Sequence, residues 1–388
     1  MSSRLPIEII GLILVRLPVR SLLRFTAVCT SWNSLITSPT FVSAHLRHGI
    51  ESADRTADRL VLFRTCTEPL TAPYSGCDQE LYSLRFDREP FNQYGNIDFP
   101  FDDLCDGPLR VVGTCDGLIC LAYNSDSAPY DFILWNPCIR RFLTLPIPDL
   151  SFSGTSCVGF GYDIHTNDYK VVGIEGLGFD SEVSGPNPSN VGIYSLATHK
   201  WRTSTAVPPK STLSSSNCCA VVRGALHWYA LHFFDFNHHP ECSILRFDLA
   251  GEEFGEMMLP QLATADEWGA GIDVDRFWLY ASVSVYKETL ALINAPPASH
   301  LHVWVMKEYG IQESWTKFMR ISLEHPSIGG LSGVGFLKNG GIVLEICGRL
   351  LYCSPGAPQL ILLSVYGHQP FFDYYVESLL LLNKERLP

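Results

Sequence analysis

Six related segments recur along most of this chain, and their spacing is the strongest constraint on its fold. Each segment is an apolar run, a polar turn and a second run with a large residue. The segments are LYSLRFDREPF from residue 81, ILWNPCIRRFLTLP from 133, GIYSLATHKWRTS from 192, ILRFDLAGEEFGEMMLP from 244, HVWVMKEYGIQESWTKF from 302 and LYCSPGAPQLILL from 351. Successive starts are 52, 59, 52, 58 and 49 residues apart. A repeat of this length predicts one supersecondary unit per segment, each stacked on its neighbours.

A second pair of β-rich runs, with a bend between them, precedes several of these segments. Examples are VVGTCDGLICLAY, FGYDIHTNDYKVVGI, CCAVVRGALHWYAL and GVGFLKNGGIVLEI. Four strands in about 50 residues are typical of a propeller blade. The sequence therefore predicts a mainly β protein, with residues 60–388 forming a six-bladed, kelch-like β-propeller. A pair of β-sandwiches is the alternative. We expect the ring to close by pairing of Tyr374–Asn383 with the run that begins the repeat region, Leu60–Cys66.

Residues 1–48 have a different periodicity and predict a small helical module. The apolar residues of its first helix follow one helical face, which Pro18 ends. They are Ile9, Ile10, Ile13, Leu14 and Leu17. A second helix is expected through Leu22, Leu23 and Phe25, and a third through Val28, Trp32 and Leu35. Phe41, Val42 and Leu46 suggest a last turn, and polar residues 49–59 are expected to form the connection to the propeller.

This module carries more apolar surface than it can bury alone. Of residues 1–46, 24 are apolar, and so short a segment buries too little surface to stabilise itself comfortably. The surplus must pack against the rest of the chain or dock onto a partner protein. A helical bundle that simply caps the larger domain is the plainer alternative.

Charge and cysteine content exclude several classes of protein. The net charge is −12, while residues 1–50 carry a net +4, so we expect no nucleic-acid partner for the acidic remainder. The 13 cysteines include no C-x-x-C motif, and no signal peptide or glycosylation sequon is recognised. These features indicate a reduced compartment, cytoplasmic and/or nuclear. No apolar run approaches the roughly 18 residues that span a bilayer, so no membrane association is expected.

The run from Leu5 to Leu46 resembles a plant F-box almost position by position. The spaced elements that carry the resemblance are Leu5-Pro6 with Glu8, Arg16-Leu17-Pro18-Val19, Ser21-Leu22-Leu23-Arg24-Phe25 and Ser31-Trp32. The resemblance implies insertion into a Skp-type adaptor, and through it a link to cullin and RING subunits. It implies that the adaptor-facing or module-core residues are Leu5, Pro6, Ile9, Ile10, Ile13, Leu17, Leu22, Val28 and Trp32.

The region from about residue 100 onward is similar to the F-box-associated domain of plant F-box proteins. The similarity lies in GTCDGLICL, WNPCIRRFLTLP, FGYDIHTNDYKVV, IYSLATHKWR, GALHWYA and FDLAGEEFGEMMLP. The S-locus F-box branch has the same layout, and the sequence does not assign the branch. Together the two resemblances imply the non-catalytic, substrate-recognition subunit of an SCF-type ubiquitin ligase, whose propeller captures a target protein. The alternative is a small-molecule or glycan receptor, or a propeller enzyme, with the helices as a regulatory appendage.

Aromatic loop residues are the candidates for target binding, because propeller loops carry recognition. They are Phe179, Phe233, Phe234, Phe236 and the neighbouring His238 and His239. The simpler interpretation is that the rings pack beneath their own loops. Clustered His and Cys residues match no zinc spacing, and no phosphate-binding or nucleophile motif occurs. We therefore expect no metal, no cofactor and no catalytic residue.

Overall fold

The structure is a computed structural model, and it describes most of the chain. The described residues are 5–56, 59–67, 79–87, 91–100, 109–123, 131–148, 150, 156–175, 190–209, 212–213, 219–232, 241–260, 281–294, 300–323, 331–346, 349–366 and 368–383. Within them, four helices are followed by 25 strands in six antiparallel sheets. The predicted architecture, a short helical module followed by a six-bladed β-propeller, is confirmed.

The helical module is longer than the sequence predicts. Its helices are α1 (Ile7–Leu14), α2 (Val19–Phe25), α3 (Thr30–Ile36) and α4 (Pro39–Thr56). Residues 49–56, expected to lie in the connection, continue α4, and Glu51 and Arg55 form an ion pair one helical turn apart within them. Val28 lies outside α3, because Cys29 adopts an extended conformation before the helix begins.

Each sheet is one blade, and the first strand of each blade lies nearest the middle of the ring. The strands of blades one to three are β25 (His368–Tyr375), β1 (Leu60–Thr67), β2 (Gln79–Phe86) and β3 (Gln93–Ile97); β4 (Leu109–Cys115), β5 (Leu118–Tyr123), β6 (Asp131–Asn136) and β7 (Arg141–Thr144); and β8 (Cys157–Asp163), β9 (Asp168–Ile174), β10 (Val191–Ser195) and β11 (Lys200–Thr203).

Blades four to six follow the same order, except that two short strands share the first position of blade four. Their strands are β12 (Thr212–Leu213), β13 (Ala220–Val222), β14 (Ala225–His232), β15 (Glu241–Asp248) and β16 (Phe254–Met258); β17 (Ala281–Tyr286), β18 (Thr289–Asn294), β19 (His300–Met306) and β20 (Trp315–Ser322); and β21 (Leu331–Phe336), β22 (Ile342–Ile346), β23 (Arg349–Ser354) and β24 (Ala357–Tyr366).

The six repeated segments all mark the same position in a blade. Each begins one to three residues after the start of a third strand, namely β2, β6, β10, β15, β19 and β23. The repeat is visible in sequence because these middle strands are covered on both faces. β6, for example, is buried at every residue after its first, whereas the outer strand β11 is largely exposed.

The core of the propeller is divided among the interfaces between neighbouring blades. One apolar cluster joins blades one and two around Trp135, and others join blades three and four, four and five, five and six, and six and one. The cluster between blades two and three is larger, because it also contains the inner residues of the helical module. The helices therefore share a core with the ring.

The ring is closed by a strand from the end of the chain. β25 pairs antiparallel with β1, with Leu60 opposite Tyr375 and Phe63 opposite Phe372. The predicted pairing partner is thus confirmed, but the strand lies earlier than Tyr374–Asn383. Residues 376–383 leave the sheet and form an irregular turn, because their leucines pack against the helical module.

Gly335 lies on β21 at the interface where the ring closes, next to Phe372 of β25. An ideal Cβ at Gly335 on β21 would lie 2.5 Å from Cδ1 of Phe372 on β25. Phe372 is buried and also packs against Phe63, with ring centroids 5.0 Å apart. We predict that Gly335→Ala lowers the free energy of unfolding by about 1–3 kcal/mol, measured by urea denaturation.

Gly95→Ala on the outer strand β3 is the matched control, because an added Cβ there has no neighbour within 4 Å. It is expected to change stability by no more than about 0.5 kcal/mol. Equal effects of the two substitutions would show that the closing interface is loosely packed.

A buried histidine links blade four to blade five. Nδ1 of His227 lies 3.1 Å from the carbonyl oxygen of Ala220, and Nε2 lies 2.8 Å from the hydroxyl of Tyr309, which precedes β20. Burial lowers the pKa of His227 to about 4. The neutral ring can donate from Nδ1 and accept the Tyr309 hydroxyl at Nε2, which protonation would prevent.

Acid is therefore expected to destabilise the protein. An unfolded histidine binds a proton near pH 6.5, whereas folded His227 does so only near pH 4, so stability falls as the pH drops between these values. At pH 5.5 this histidine alone is expected to cost about 1 kcal/mol relative to pH 7.5. Urea denaturation of His227→Gln should show a loss between the two pH values that is smaller by this amount. An unchanged loss would assign the pH dependence elsewhere.

Candidate functional site

The first helix presents apolar side chains on every side. Leu5, just before α1, and Ile7, Ile9, Leu12 and Ile13 are all exposed, while Leu14 is buried. Isoleucine and leucine favour burial, and single exposed examples are ordinary. Five exposed apolar residues within the nine positions 5–13 form a concentration of apolar surface of the kind that marks an interaction site. We call these five residues the outer face of the helical module.

The predicted adaptor residues divide into three groups by burial. Leu22 is fully buried, at 0% exposure. Ile10, Leu17 and Trp32 are half-buried and pack on the core between blades two and three. Leu5, Pro6, Ile9, Ile13 and Val28 are exposed. The structure therefore separates module core from available surface, which the sequence pattern does not.

The structure adds Ile7 and Leu12 to the outer face. The single helical stripe chosen from the sequence leaves both residues out, because it treats the opposite side of α1 as solvent-facing. A signal was available, since IEIIGLIL contains one polar residue and a helix that is apolar all round is expected to be covered on all sides.

The inner half of the module packs on the ring. α2 contacts the short 3-10 turn Pro137–Ile139, which joins β6 to β7, and Val19 and Leu22 share a core with Ile139. The ring edges of Phe25 and Trp32 meet, with centroids 5.4 Å apart. Inside the module, Nε2 of His45 on α4 lies 2.9 Å from the carbonyl oxygen of Leu17. On α1, Ile10 and Leu14 join the same core, whereas the residues of the outer face are exposed.

The helical module carries exposed arginines, and one of them, Arg16, donates to the carbonyl oxygen of Leu12 on the outer face. Arg16, Arg20, Arg24 and Arg47 are all exposed, whereas residues 51–388 carry a net negative charge. Positive charge beside an apolar patch favours association with an acidic partner and raises the association rate.

Comparison with known protein families assigns both parts of the chain. Residues 2–43 match the F-box domain, and residues 78–343 match the F-box associated beta propeller domain. The chain belongs to the F-box proteins with an F-box-associated propeller. An F-box indicates binding to a Skp-type adaptor, and the outer face is the part of this F-box that is open to such a partner.

F-box proteins of Arabidopsis thaliana are similar to this chain along most of its length. The chain is 29% identical to F-box/kelch-repeat protein At3g23880 over 82% of this chain and 79% of that protein. It is 27% identical to F-box protein CPR1 over 82% of this chain and 73% of that protein. The propeller match begins after β1 and ends within β22, so the geometry of ring closure comes from the structure.

The predicted target-binding residues lie outside the described residues. They are Phe179, Phe233, Phe234, Phe236, His238 and His239. The strands that flank them are described: β9 and β14 end, and β10 and β15 begin, at the edge of the propeller opposite the F-box. The F-box lies at the other edge, where β4 turns into β5 and β6 into β7. These residues stay predictions.

A charged cluster between blades three and four is internally paired. Nζ of Lys170 lies 2.8 Å from Oδ2 of Asp163 and 3.0 Å from Oε1 of Glu252, and Arg202 also pairs with Glu252. Burial would raise the pKa of Asp163, but hydrogen bonds from Lys170 and Thr166 outweigh it and lower this pKa to about 2. Arg202 and Glu252 also line an open cavity of about 540 Å³ at the same boundary. Two cations face two carboxylates, so the cluster ties the blades together.

Asp163 also completes a turn. Its Oδ1 accepts the backbone N–H of His165 at 2.9 Å, and its Oδ2 accepts the hydroxyl of Thr166 at 2.6 Å. Asp163 therefore stabilises the turn between β8 and β9 through its side-chain oxygens. Among the described residues, no group of three or more His, Cys, Asp and Glu could hold a metal ion. No described helix has the length and apolarity needed to cross a membrane.

The division of the F-box into core and surface predicts a large loss of stability when a core residue is truncated and a small loss when a surface residue is truncated. Leu22→Ala removes a side chain with 0% exposure and is expected to lower the free energy of unfolding of the F-box by about 2–4 kcal/mol. Ile13→Ala removes a side chain that is 50% exposed and should cost less than about 1 kcal/mol. Urea denaturation followed by the helical circular dichroism signal measures both, because all the described α-helices lie in the F-box. Similar losses would mean that the outer face is packed in solution.

Proposed function

We propose that this protein is the substrate-recognition subunit of an SCF-type ubiquitin ligase. The F-box docks a Skp-type adaptor, which links it to cullin and RING subunits, and the propeller captures a target protein. The observation that carries the proposal is the open outer face of an F-box whose inner half is packed on the propeller. Such a ligase works in the cytoplasm, the nucleus or both.

The chain contributes position and supplies no bond chemistry of its own. A target held on the propeller has an effective concentration near the ubiquitin-charged enzyme that is set by geometry instead of by diffusion. The ring suits this task because apolar clusters join each blade to its neighbours and make the ring rigid. The F-box at one edge and a target at the opposite edge would therefore keep a fixed distance. The opposite edge of the ring, away from the F-box, is the place for the target.

Adaptor binding is expected to depend on the outer face. Ile13→Asp places a charge in the middle of the apolar patch, where burial against a partner would leave it unpaired. We expect the dissociation constant for a purified Skp-type adaptor to rise tenfold to a hundredfold or more, as is usual for a central interface residue. Isothermal titration calorimetry on the full chain measures this change.

Ile164→Asp is the matched control, because Ile164 is 74% exposed but lies on the propeller, in the turn between β8 and β9. Its adaptor affinity and its stability are expected to equal those of the wild type. If Ile13→Asp binds the adaptor as tightly as Ile164→Asp, the outer face is not the docking surface. If the wild type itself does not bind, the proposed function is wrong.

A further inference from the structure

The F-box is held on the ring by the last described residues of the chain, and one asparagine organises this contact. We propose that Asn136 is a positioning residue: through residues 376–383, which we call the clasp, it fixes the orientation of the F-box relative to the propeller. The use of this orientation in ubiquitin transfer rests on the proposed function above. The contact itself does not.

Asn136 is fully buried and holds the clasp through its amide. Its Nδ2 lies 2.8 Å from the carbonyl oxygen of Leu380, 3.1 Å from that of Ser378 and 3.2 Å from the Ser378 hydroxyl. An asparagine NH₂ group has two hydrogens to donate, and these acceptors use both. A buried carbonyl that loses its donor keeps the full penalty of its desolvation, so the amide is well matched to this turn.

Two neighbours of Asn136 grip the same segment. Sγ of Cys138 lies 2.9 Å from the carbonyl oxygen of Ser378, and burial raises the pKa of this thiol to about 12, so it stays protonated and can donate. Gly117, in the turn between β4 and β5, has a φ of 82°, and an ideal Cβ there would lie 2.2 Å from the carbonyl oxygen of Val376. The clasp therefore packs against two turns of blade two, the one between β4 and β5 and the one between β6 and β7.

The other side of the clasp belongs to the F-box. Leu379 and Leu381 are buried in the same cluster as Val19 and Leu22. Leu381 has a φ of 69°, an unfavourable conformation for a bulky residue that persists only where the surroundings enforce it. Asn383 donates its amide to the carbonyl oxygen of Thr37 at the end of α3.

Additional contacts flank the clasp. α2 touches the turn Pro137–Ile139 directly, and Nζ of Lys338 lies 3.3 Å from the carbonyl oxygen of Asp54 on α4. The first contact belongs to the core that Leu22 shares with Ile139, and the second lies near the end of α4. Because the clasp continues β25, the F-box can take this orientation only when the ring is closed. Asn136 thus joins ring closure to the placement of the F-box.

Asn136→Asp tests this role with little change in shape. A carboxylate only accepts hydrogen bonds, so it faces the carbonyl oxygens of Ser378 and Leu380 without a donor. The matched control is Asn294→Asp, because Asn294 is also a strand asparagine with 0% exposure, but it lies in blade five and has no hydrogen bond to the clasp. Both variants bury an aspartate in the propeller, and only the first disturbs the clasp.

Hydrogen–deuterium exchange of the full chain locates the effect. In Asn136→Asp, amide exchange of the clasp and of α2 is expected to rise at least tenfold, while β17–β24 remain protected. In Asn294→Asp the rise should be confined to blade five. The adaptor dissociation constant of Asn136→Asp should stay within about threefold of wild type, because the outer face is unchanged. Exchange that rises equally over all blades, or not at all in the clasp and α2, would overturn the proposal.

Single-molecule energy transfer reports orientation, which a loss of stability alone would not change. Dyes are placed at the exposed residues Ser34 on α3 and Glu288 in the turn between β17 and β18, through non-natural amino acids because the chain has 13 cysteines. Wild type and Asn294→Asp should give one narrow distribution, and Asn136→Asp a broad one. A narrow distribution for Asn136→Asp, unchanged from wild type, would overturn the proposal.

A second variant decides the case if Asn136→Asp does not fold. A chain truncated after Ser378 keeps the closing strand and the Ser378 acceptors of Asn136 but lacks the Leu380 acceptor and the leucines that share a core with the F-box. Its β-sheet circular dichroism is expected to match the wild type while the energy-transfer distribution broadens. A folded, truncated ring with a narrow distribution would show that the other contacts suffice. Failure of the wild type to bind the adaptor would contradict the proposed function and leave these readouts intact.

Discussion

Each blade of this propeller has two apolar faces, and neither is covered until the neighbouring blades are in place. The middle strands show this requirement directly, since β5 and β9 are buried at nearly every position. Sheets with two apolar faces must therefore continue until the ring closes. Pairing of β25 with β1 meets this condition, and it makes the first blade a joint product of residues at opposite ends of the propeller.

The F-box follows the same principle on a smaller scale. Its helices carry more apolar surface than they can bury among themselves, and the structure divides the excess in two. Val19, Leu22 and the neighbouring residues are covered by blade two and by the leucines of the clasp, while Ile9 and Ile13 remain exposed. The two explanations for the surplus apolar residues, packing on the chain and docking to a partner, therefore apply to different sides of the same module.

Much of the architecture could be predicted from sequence, because it depends on patterns that repeat. The six segments are detectable because third strands lie between two neighbours and tolerate few polar residues. Burial within the F-box was not predictable, because Leu22 and Ile13 look alike in the pattern and differ only in what the fold places next to them. The helix through Thr56 and the end of β25 at Tyr375 were missed for a related reason. Tertiary contacts can stabilise polar residues in a helix, and they can also stabilise leucines outside a strand.

The joint construction of blade one has a consequence for how the protein is made. β1 ends at Thr67 and its inner partner β25 begins about 300 residues later. At a translation rate of about 5–20 residues per second, the edge of β1 waits roughly 15–60 s for this partner. An unpaired edge strand is an aggregation hazard. We therefore expect a chaperone to bind the nascent chain during this interval. If translation stops before β25 is made, the released polypeptide contains the F-box helices but lacks the clasp that packs between them and blade two.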